Sequence, residues 1–158
     1  MLGDASCLPH SSTELAVMTG NVAQVFLTEE AWLANLKAIH RALLPNGHLA
    51  FEVRDPADAA WVNWIPERTR QRIELPEIGT VHGWCEVIAV KKPLVHFRLN
   101  YFFESDGQTL TSDSILRFRE KSEIIADLEQ SGFELQEIQD APDRPGKEFI
   151  FNCIRLNN

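Results

Sequence analysis

The chain has 158 residues, about the length of one domain, and 44% of them are hydrophobic, which excludes a disordered protein. A formal net charge of −8 with scattered basic residues excludes a nucleic-acid partner, and no apolar run approaches the ~20 residues of a membrane span. The three cysteines and five histidines lack the spacing of a metal site, so we expect no metal. Because no run of residues is apolar and long enough for a membrane span, we expect a cytoplasmic location.

The first third of the chain predicts a strand, a helix and a second strand. The apolar run 14–19 is typical of a buried strand that feeds a loop. Thr28 is a good N-cap for a helix with apolar residues at helical spacing, and Pro45-Asn46-Gly47 is expected to stop that helix. The run "HLAFEVRDP" then predicts a second strand, parallel to the first.

The middle of the chain predicts a different architecture. Residues 57–73 favour one or two short helices broken at Pro66. Three β-rich runs follow, at 80–90, 94–104 and 109–119, with Asp106-Gly107 between the last two. Asp-Gly between two such runs is a strong hairpin signal, so we expect an antiparallel meander.

The last third predicts a helix and two closing strands. "KSEIIADLEQSGF" has Ser122 as a candidate cap and Gly132 as the stop. "FELQEIQD" and "KEFIFNCIRL" are expected to be strands joined by the turn "APDRPG". We expect a single domain over 1–158, made of a strand–helix–strand unit (1–56), a helical lid with the meander (57–120), and a last helix with a strand pair (121–158).

This series resembles the second half of a class I S-adenosylmethionine-dependent methyltransferase. "GDASCLP" is similar to the loop after the family's third strand, and "ELAVMTGNVAQVF" to its fourth strand and loop. "LKAIHRALLPNGHLAFEV", with the turn "LLPNG", is similar to the next helix and fifth strand. The resemblance implies an α/β fold: a partial doubly wound, Rossmann-like sheet of the last four strands, with an antiparallel β-meander insertion.

The resemblance also implies what is missing. No two of the eight glycines are spaced G-x-G, so the Gly-rich turn that holds the cofactor in the family has no counterpart in this sequence. We therefore expect a truncated methyltransferase, inactive without an N-terminal segment that another chain or a longer product supplies.

The resemblance assigns cofactor-binding positions. Asp4 and Ala5 match the positions that recognise adenine, and Thr19, Gly20 and Asn21 match the loop beside the methionine part of S-adenosylmethionine. For Thr19, Gly20 and Asn21, an ordinary strand-to-loop turn is an equal alternative.

A substrate pocket is expected beside these residues. Arg54 and Asp55 end the second strand on the same edge, although a solvent-facing ion pair is the alternative. The remaining candidates lie in the middle of the chain: Trp61 and Trp64, whose alternative is core packing, and Arg98 and Tyr101 on the meander. No catalytic residue is assigned, because methyl transfer asks chiefly for positioning.

The resemblance leaves two alternative functions and predicts one assembly. The first function is methyl transfer to a small molecule, and the alternative is a non-catalytic, dimeric binding or scaffold protein descended from a methyltransferase. Without its neighbour in the family's sheet, the strand containing Leu15 to Met18 becomes an exposed apolar edge. We therefore expect a homodimer through this edge, with its two strands antiparallel across a two-fold axis.

Overall fold

The computed structural model describes residues 5–157, which form two compact units. The first unit comprises Met1–Asp58 and Phe118–Asn158, and the second comprises Ala59–Arg117. The α/β prediction is confirmed, with helices and a mixed sheet in the first unit. No helix among the described residues is long and apolar enough to cross a membrane.

The first unit begins with β1 (Thr13–Met18), α1 (Glu29–Ala42) and β2 (Leu43–Arg54). Two short 3-10 helices, Ala5–Cys7 and Val22–Val25, flank β1, and a third spans Pro56–Asp58. Strands β1 and β2 are parallel, as predicted. The Thr28 hydroxyl accepts the Ala31 N–H at 3.2 Å and caps α1, also as predicted.

The end of α1 differs from the prediction. The helix ends at Ala42, before Pro45, because Leu43 already has extended backbone angles. The Pro45-Asn46-Gly47 turn instead forms an irregularity inside β2, where the pairing jumps from Thr13–Leu43 to Leu15–His48.

The first unit closes with α3 (Lys121–Gln130), β7 (Phe133–Asp140) and β8 (Glu148–Arg155). Glu120, rather than Ser122, occupies the N-cap position of α3, and it makes no side-chain cap. Gly132 has φ +86°, which suits the residue that ends a helix.

The strands of the first unit form one sheet in the order β1-β2-β8-β7, with β8 antiparallel to both of its neighbours. One face packs against α1 and α3 through a buried core, which includes Trp32, Leu36, Phe51, Ile124 and Phe151. On β1, Met18 is 8% exposed, whereas Leu15 and Val17, on the opposite face, are 55% and 59% exposed. Strand β1 is at one end of the strand order, so it leaves one edge unpaired within residues 5–157.

The second unit contains a 3-10 helix (Ala60–Asn63), α2 (Pro66–Thr69) and β3 (Gln71–Leu75). It continues with β4 (Gly79–Lys91), β5 (Leu94–Phe103) and β6 (Thr109–Arg117). These strands form an antiparallel sheet in chain order, with the predicted turn at Asp106-Gly107 between β5 and β6. The sequence predicted helix through Ile73, so β3 is a strand that it missed.

Candidate functional site

The candidate site lies where β1 and β2 end. Because these strands are parallel, the loop after Met18 and the end of β2 at Arg54 lie at the same edge of the sheet. Ligands of open α/β sheets bind at this edge. Strand β8 begins there too, since Glu148 is paired with Arg54 in the antiparallel register.

Thr19, Gly20 and Asn21 connect β1 to the 3-10 helix at Val22–Val25. Gly20 and Asn21 both have left-handed backbone angles, with φ of +68° and +60°. No atom lies within 4 Å of the position that a Cβ would take on Gly20, so space is open there for a close backbone approach.

The Glu52 carboxylate holds this loop in place. Its Oε1 accepts the N–H of Gly20 at 2.6 Å and that of Asn21 at 3.3 Å. Glu52 and Thr19 also line a cavity of about 170 Å³ whose other lining residues include Val17, Ala50 and Ile150. Glu52 was not predicted as a site residue from the sequence. In "FEVR", the charged residues Glu52 and Arg54 alternate with the buried Phe51 and Val53. This alternation was the available signal for Glu52.

The Asn21 side chain is buried and is bonded to β8. It is 2% exposed, and its Nδ2 donates to Glu148 Oε1 at 3.2 Å. Within the described residues its Oδ1 has no hydrogen-bond partner. The amide therefore ties the loop to β8 instead of presenting itself to a ligand in the crevice.

Glu148 is 3% exposed, and its buried carboxylate lies between the side chains of Arg54 and Arg144 and the Asn21 amide. Its Oε1 lies 2.7 Å from Arg144 Nη1 and 3.6 Å from Arg54 Nε. Burial lowers the pKa of Arg54, and repulsion from the positive charge of Arg144 lowers it further. The negative charges of Glu148 and Glu52 act in the opposite direction and raise it. The hydrogen bond from Arg144 to Glu148 raises the pKa of Arg144. Both arginines thus place a guanidinium group beside the buried carboxylate of Glu148.

Arg54 and Asp55, which were predicted to line a substrate pocket, contact different partners in the structure. Arg54 is directed to Glu148, and its backbone N–H and its Nη1 donate to Gln24 Oε1 at 3.3 and 3.4 Å. Asp55 instead accepts the N–H of Ala57 at 2.8 Å in a local turn. Gln24, Arg144 and Glu148 were missed because strand register and loop packing bring them together.

Ala5 lines a groove beside β1. Its volume is about 530 Å³, within the size range of small-molecule sites. Met18, Phe26, Asn35 and Ile39 are among its other lining residues, and Asn35 Nδ2 lies 3.4 Å from Met18 Sδ. The groove is apolar with a polar group at Asn35. Asp4, the other predicted adenine position, lies outside the described residues.

The predicted pocket residues of the second unit do not form one set. Arg98 and Tyr101 lie three residues apart on β5, and therefore on opposite faces of the sheet, so they do not line one pocket on it. Arg98 pairs with Asp113 at 2.9 and 3.0 Å. Trp61 is 8% exposed, and the ring of Trp64 lies 4.9 Å from that of Phe97. Trp61 is thus buried, and Trp64 packs on an aromatic ring of its own unit.

A metal site is not evident in the described part of the chain. No group of three or more histidine, cysteine, aspartate and glutamate side chains in residues 5–157 is placed to hold a metal ion.

Comparison with known proteins finds similarity in structure alone. No protein-family model matches the sequence, and no curated protein does. A S-adenosylmethionine-dependent methyltransferase from Clostridium acetobutylicum matches 100% of this chain at 12% identity, with a TM-score of 0.73. CalS10, an amino pentose methyltransferase from Micromonospora echinaspora with SAM bound, matches 97% at 16% identity and a TM-score of 0.67. The sugar N-methyltransferase KedS8 from Streptoalloteichus matches 98% at 14% identity and a TM-score of 0.73.

The comparisons establish the fold. The chain has a class I S-adenosylmethionine-dependent methyltransferase-like fold, as the sequence predicted. It spans 64%, 63% and 61% of the C. acetobutylicum enzyme, CalS10 and KedS8, respectively, which is less than two thirds of each.

Proposed function

We propose that this chain is part of a S-adenosylmethionine-dependent methyltransferase that acts on a small molecule. The observation that carries the proposal is the crevice at the ends of β1 and β2, on a fold shared with such enzymes. We further propose that the sheet β1-β2-β8-β7 corresponds to the last four strands of the family's sheet, with the second unit as an insertion.

Each part of the crevice has a role in this proposal. Gly20 offers the open backbone position against which the methionine part of the cofactor would lie. The groove containing Ala5 and Asn35 has room for the adenosine part. The cofactor supplies an activated methyl group, so the chain's task is to position donor and acceptor. Glu52 and Glu148 serve this task by fixing the loop at Gly20-Asn21.

We propose that further polypeptide completes the cofactor site. The chain spans less than two thirds of the matched enzymes, and β1 has a free edge with Leu15 and Val17 exposed. A segment that pairs with this edge would satisfy its backbone groups and add contacts to the groove, which β1 partly lines. Residues 1–158 alone are therefore expected to bind the cofactor weakly.

The acceptor is proposed to be a small molecule. Two matched structures are named for such acceptors, an amino pentose in one and a sugar nitrogen in the other. The net charge of −8 also disfavours a nucleic-acid acceptor.

Two glycines provide a matched test of the crevice. Gly20 and Gly107 both have φ +68° and nothing within 4 Å of a Cβ position, but Gly107 lies in the β5–β6 turn. Gly20→Ala and Gly107→Ala should therefore carry a similar backbone strain of ~1–2 kcal/mol. Calorimetric titration with S-adenosylhomocysteine should show weak binding, about −4 to −6 kcal/mol, by the wild type and Gly107→Ala.

Gly20→Ala should weaken this binding at least about tenfold, since its methyl group occupies the approach to the loop. Equal binding by both variants would remove Gly20 from the site. No binding by folded wild type at about 5 mM ligand would favour the non-catalytic alternative, a binding or scaffold protein.

A further inference from the structure

Asn35, on α1, lines two cavities of the first unit. The larger is the groove of about 530 Å³ beside β1, and the smaller has a volume of about 270 Å³. Ala5, Phe26 and Asn35 line both of them, so the two cavities adjoin at these residues. A ligand that enters either cavity therefore comes near the Asn35 side chain.

The two cavities suit an uncharged ligand group. No charged side chain among the described residues lines either of them, and the Phe26 ring gives both an aromatic surface. The cavity beside Thr19 is different, because the Glu52 carboxylate lines it. Met18 lines both that cavity and the larger groove, so the charged and the uncharged regions are neighbours. A ligand with one charged end and one planar, neutral end would place the neutral end near Asn35.

The Asn35 amide is available to such a ligand. The other polar side chains that line the larger groove are Ser12 and Thr13, and each hydroxyl already donates to a backbone carbonyl, at 2.9 and 3.0 Å. Within the described residues, the Asn35 amide makes one hydrogen bond, from Nδ2 to Met18 Sδ at 3.4 Å. A thioether is a weak acceptor. The amide oxygen and the second N–H are thus left for a ligand.

An asparagine amide places one donor beside one acceptor, and this pattern selects among purine bases. Adenine matches it in a bidentate pair, since its 6-amino group donates and its N7 accepts. A 6-oxopurine presents two acceptors at the same edge, and the amide oxygen cannot satisfy either of them. We propose that Asn35 is a specificity-determining residue, whose amide recognises the adenine base of the cofactor. This inference rests on the proposed function, which supplies a ligand that contains adenine.

Two ligands that differ at one purine position test the proposal. S-adenosylhomocysteine has an amino group at position 6, and S-inosylhomocysteine has an oxo group there. NMR titration of the chain 1–158 gives the affinity for each ligand. Asn35→Ala removes the amide and keeps a good helix former in α1, and Asn35→Leu keeps most of the side-chain volume. Asn157→Ala is the matched control at an exposed position that lines neither cavity, and circular dichroism checks that each variant is folded.

Wild type and Asn157→Ala should bind S-adenosylhomocysteine at least about tenfold more tightly than S-inosylhomocysteine, because a bidentate pair discriminates between bases by about this factor or more. In both Asn35 variants this preference should fall below about threefold, through weaker binding of S-adenosylhomocysteine. A general defect of the groove would weaken both ligands alike, so the ratio of the two affinities reports recognition of the base.

The outcomes separate this inference from the proposed function. Binding of S-adenosylhomocysteine with a preference that both Asn35 variants retain would overturn the role of Asn35 and leave the proposed function standing. Equal affinities of the wild type for the two ligands would do the same. No binding of either ligand by the folded wild type at about 5 mM would overturn the inference and the proposed function together.

Discussion

Arg119 carries the sharpest prediction about the loop that builds the crevice. Its side chain is 4% exposed and donates to three backbone carbonyls, from Nη2 to Phe26 at 2.7 Å and to Thr28 at 3.4 Å, and from Nη1 to Ala23 at 3.3 Å. Its guanidinium also lies 5.1 Å from the centre of the Trp32 ring. One buried cation thus fixes the segment that follows Gly20-Asn21.

The cost of removing Arg119 can be bounded from these contacts. Hydrogen bonds from a charged donor contribute ~1.5–3 kcal/mol each, and a desolvated cation–π contact about 2 kcal/mol. Because such contributions are not additive, we expect Arg119→Met to lower the free energy of unfolding by ~3–5 kcal/mol. Arg119→Lys should lose about half as much, since it keeps the charge but not the planar fork.

Urea unfolding followed by circular dichroism measures these differences. Arg98→Met is the matched control, since Arg98 makes two hydrogen bonds to Asp113 but both side chains are exposed, and it should cost much less than Arg119→Met. The reasoning is refuted if Arg119→Met costs no more than Arg98→Met. Hydrogen exchange should also become faster at Ala23 in Arg119→Met, as the 3-10 helix there loses its anchor.

Three further predictions concern buried groups. Glu148→Gln should destabilise the protein by ~2–4 kcal/mol in urea unfolding, because it removes the buried negative charge that Arg54 and Arg144 share. Burial and the charge of Glu123 raise the pKa of Asp127, so folding loses stability as the pH rises above the unfolded pKa of ~3.9. Asp127→Asn should therefore raise Tm at pH 7, with the gain vanishing below about pH 4; a gain that persists there would contradict this cause. Burial raises the pKa of Cys153 to about 12, so in the native protein an alkylating reagent should modify the exposed Cys7 rapidly and Cys153 only after unfolding.

Local sequence signals predicted much of the fold. Thr28 caps α1 because its hydroxyl needs only a neighbouring backbone N–H, and Asp106-Gly107 forms a turn through its own backbone preferences. Strand β3 was missed because it has only five residues and follows α2 after one intervening residue, so it reads as a continuation of the helical run.

The candidate site was only partly predictable, because it is built by contacts distant in sequence. Strand ends located Gly20 and Arg54, but the Asn21–Glu148 bond spans 127 positions and depends on the register between β2 and β8. The inward direction of the Asn21 side chain follows from two consecutive left-handed residues. A Gly-Asn pair in sequence is typical of a turn but does not fix that geometry.

The central claim is that the crevice after β1 holds the S-adenosyl cofactor. The most direct measurement is a titration of isotope-labelled protein with S-adenosylhomocysteine, following each backbone amide by NMR. The account predicts that the largest shifts occur at Gly20, Asn21 and Ala5 and saturate in the high micromolar to millimolar range, about −4 to −6 kcal/mol. Shifts confined to residues 59–117, or none at about 5 mM ligand, would contradict it.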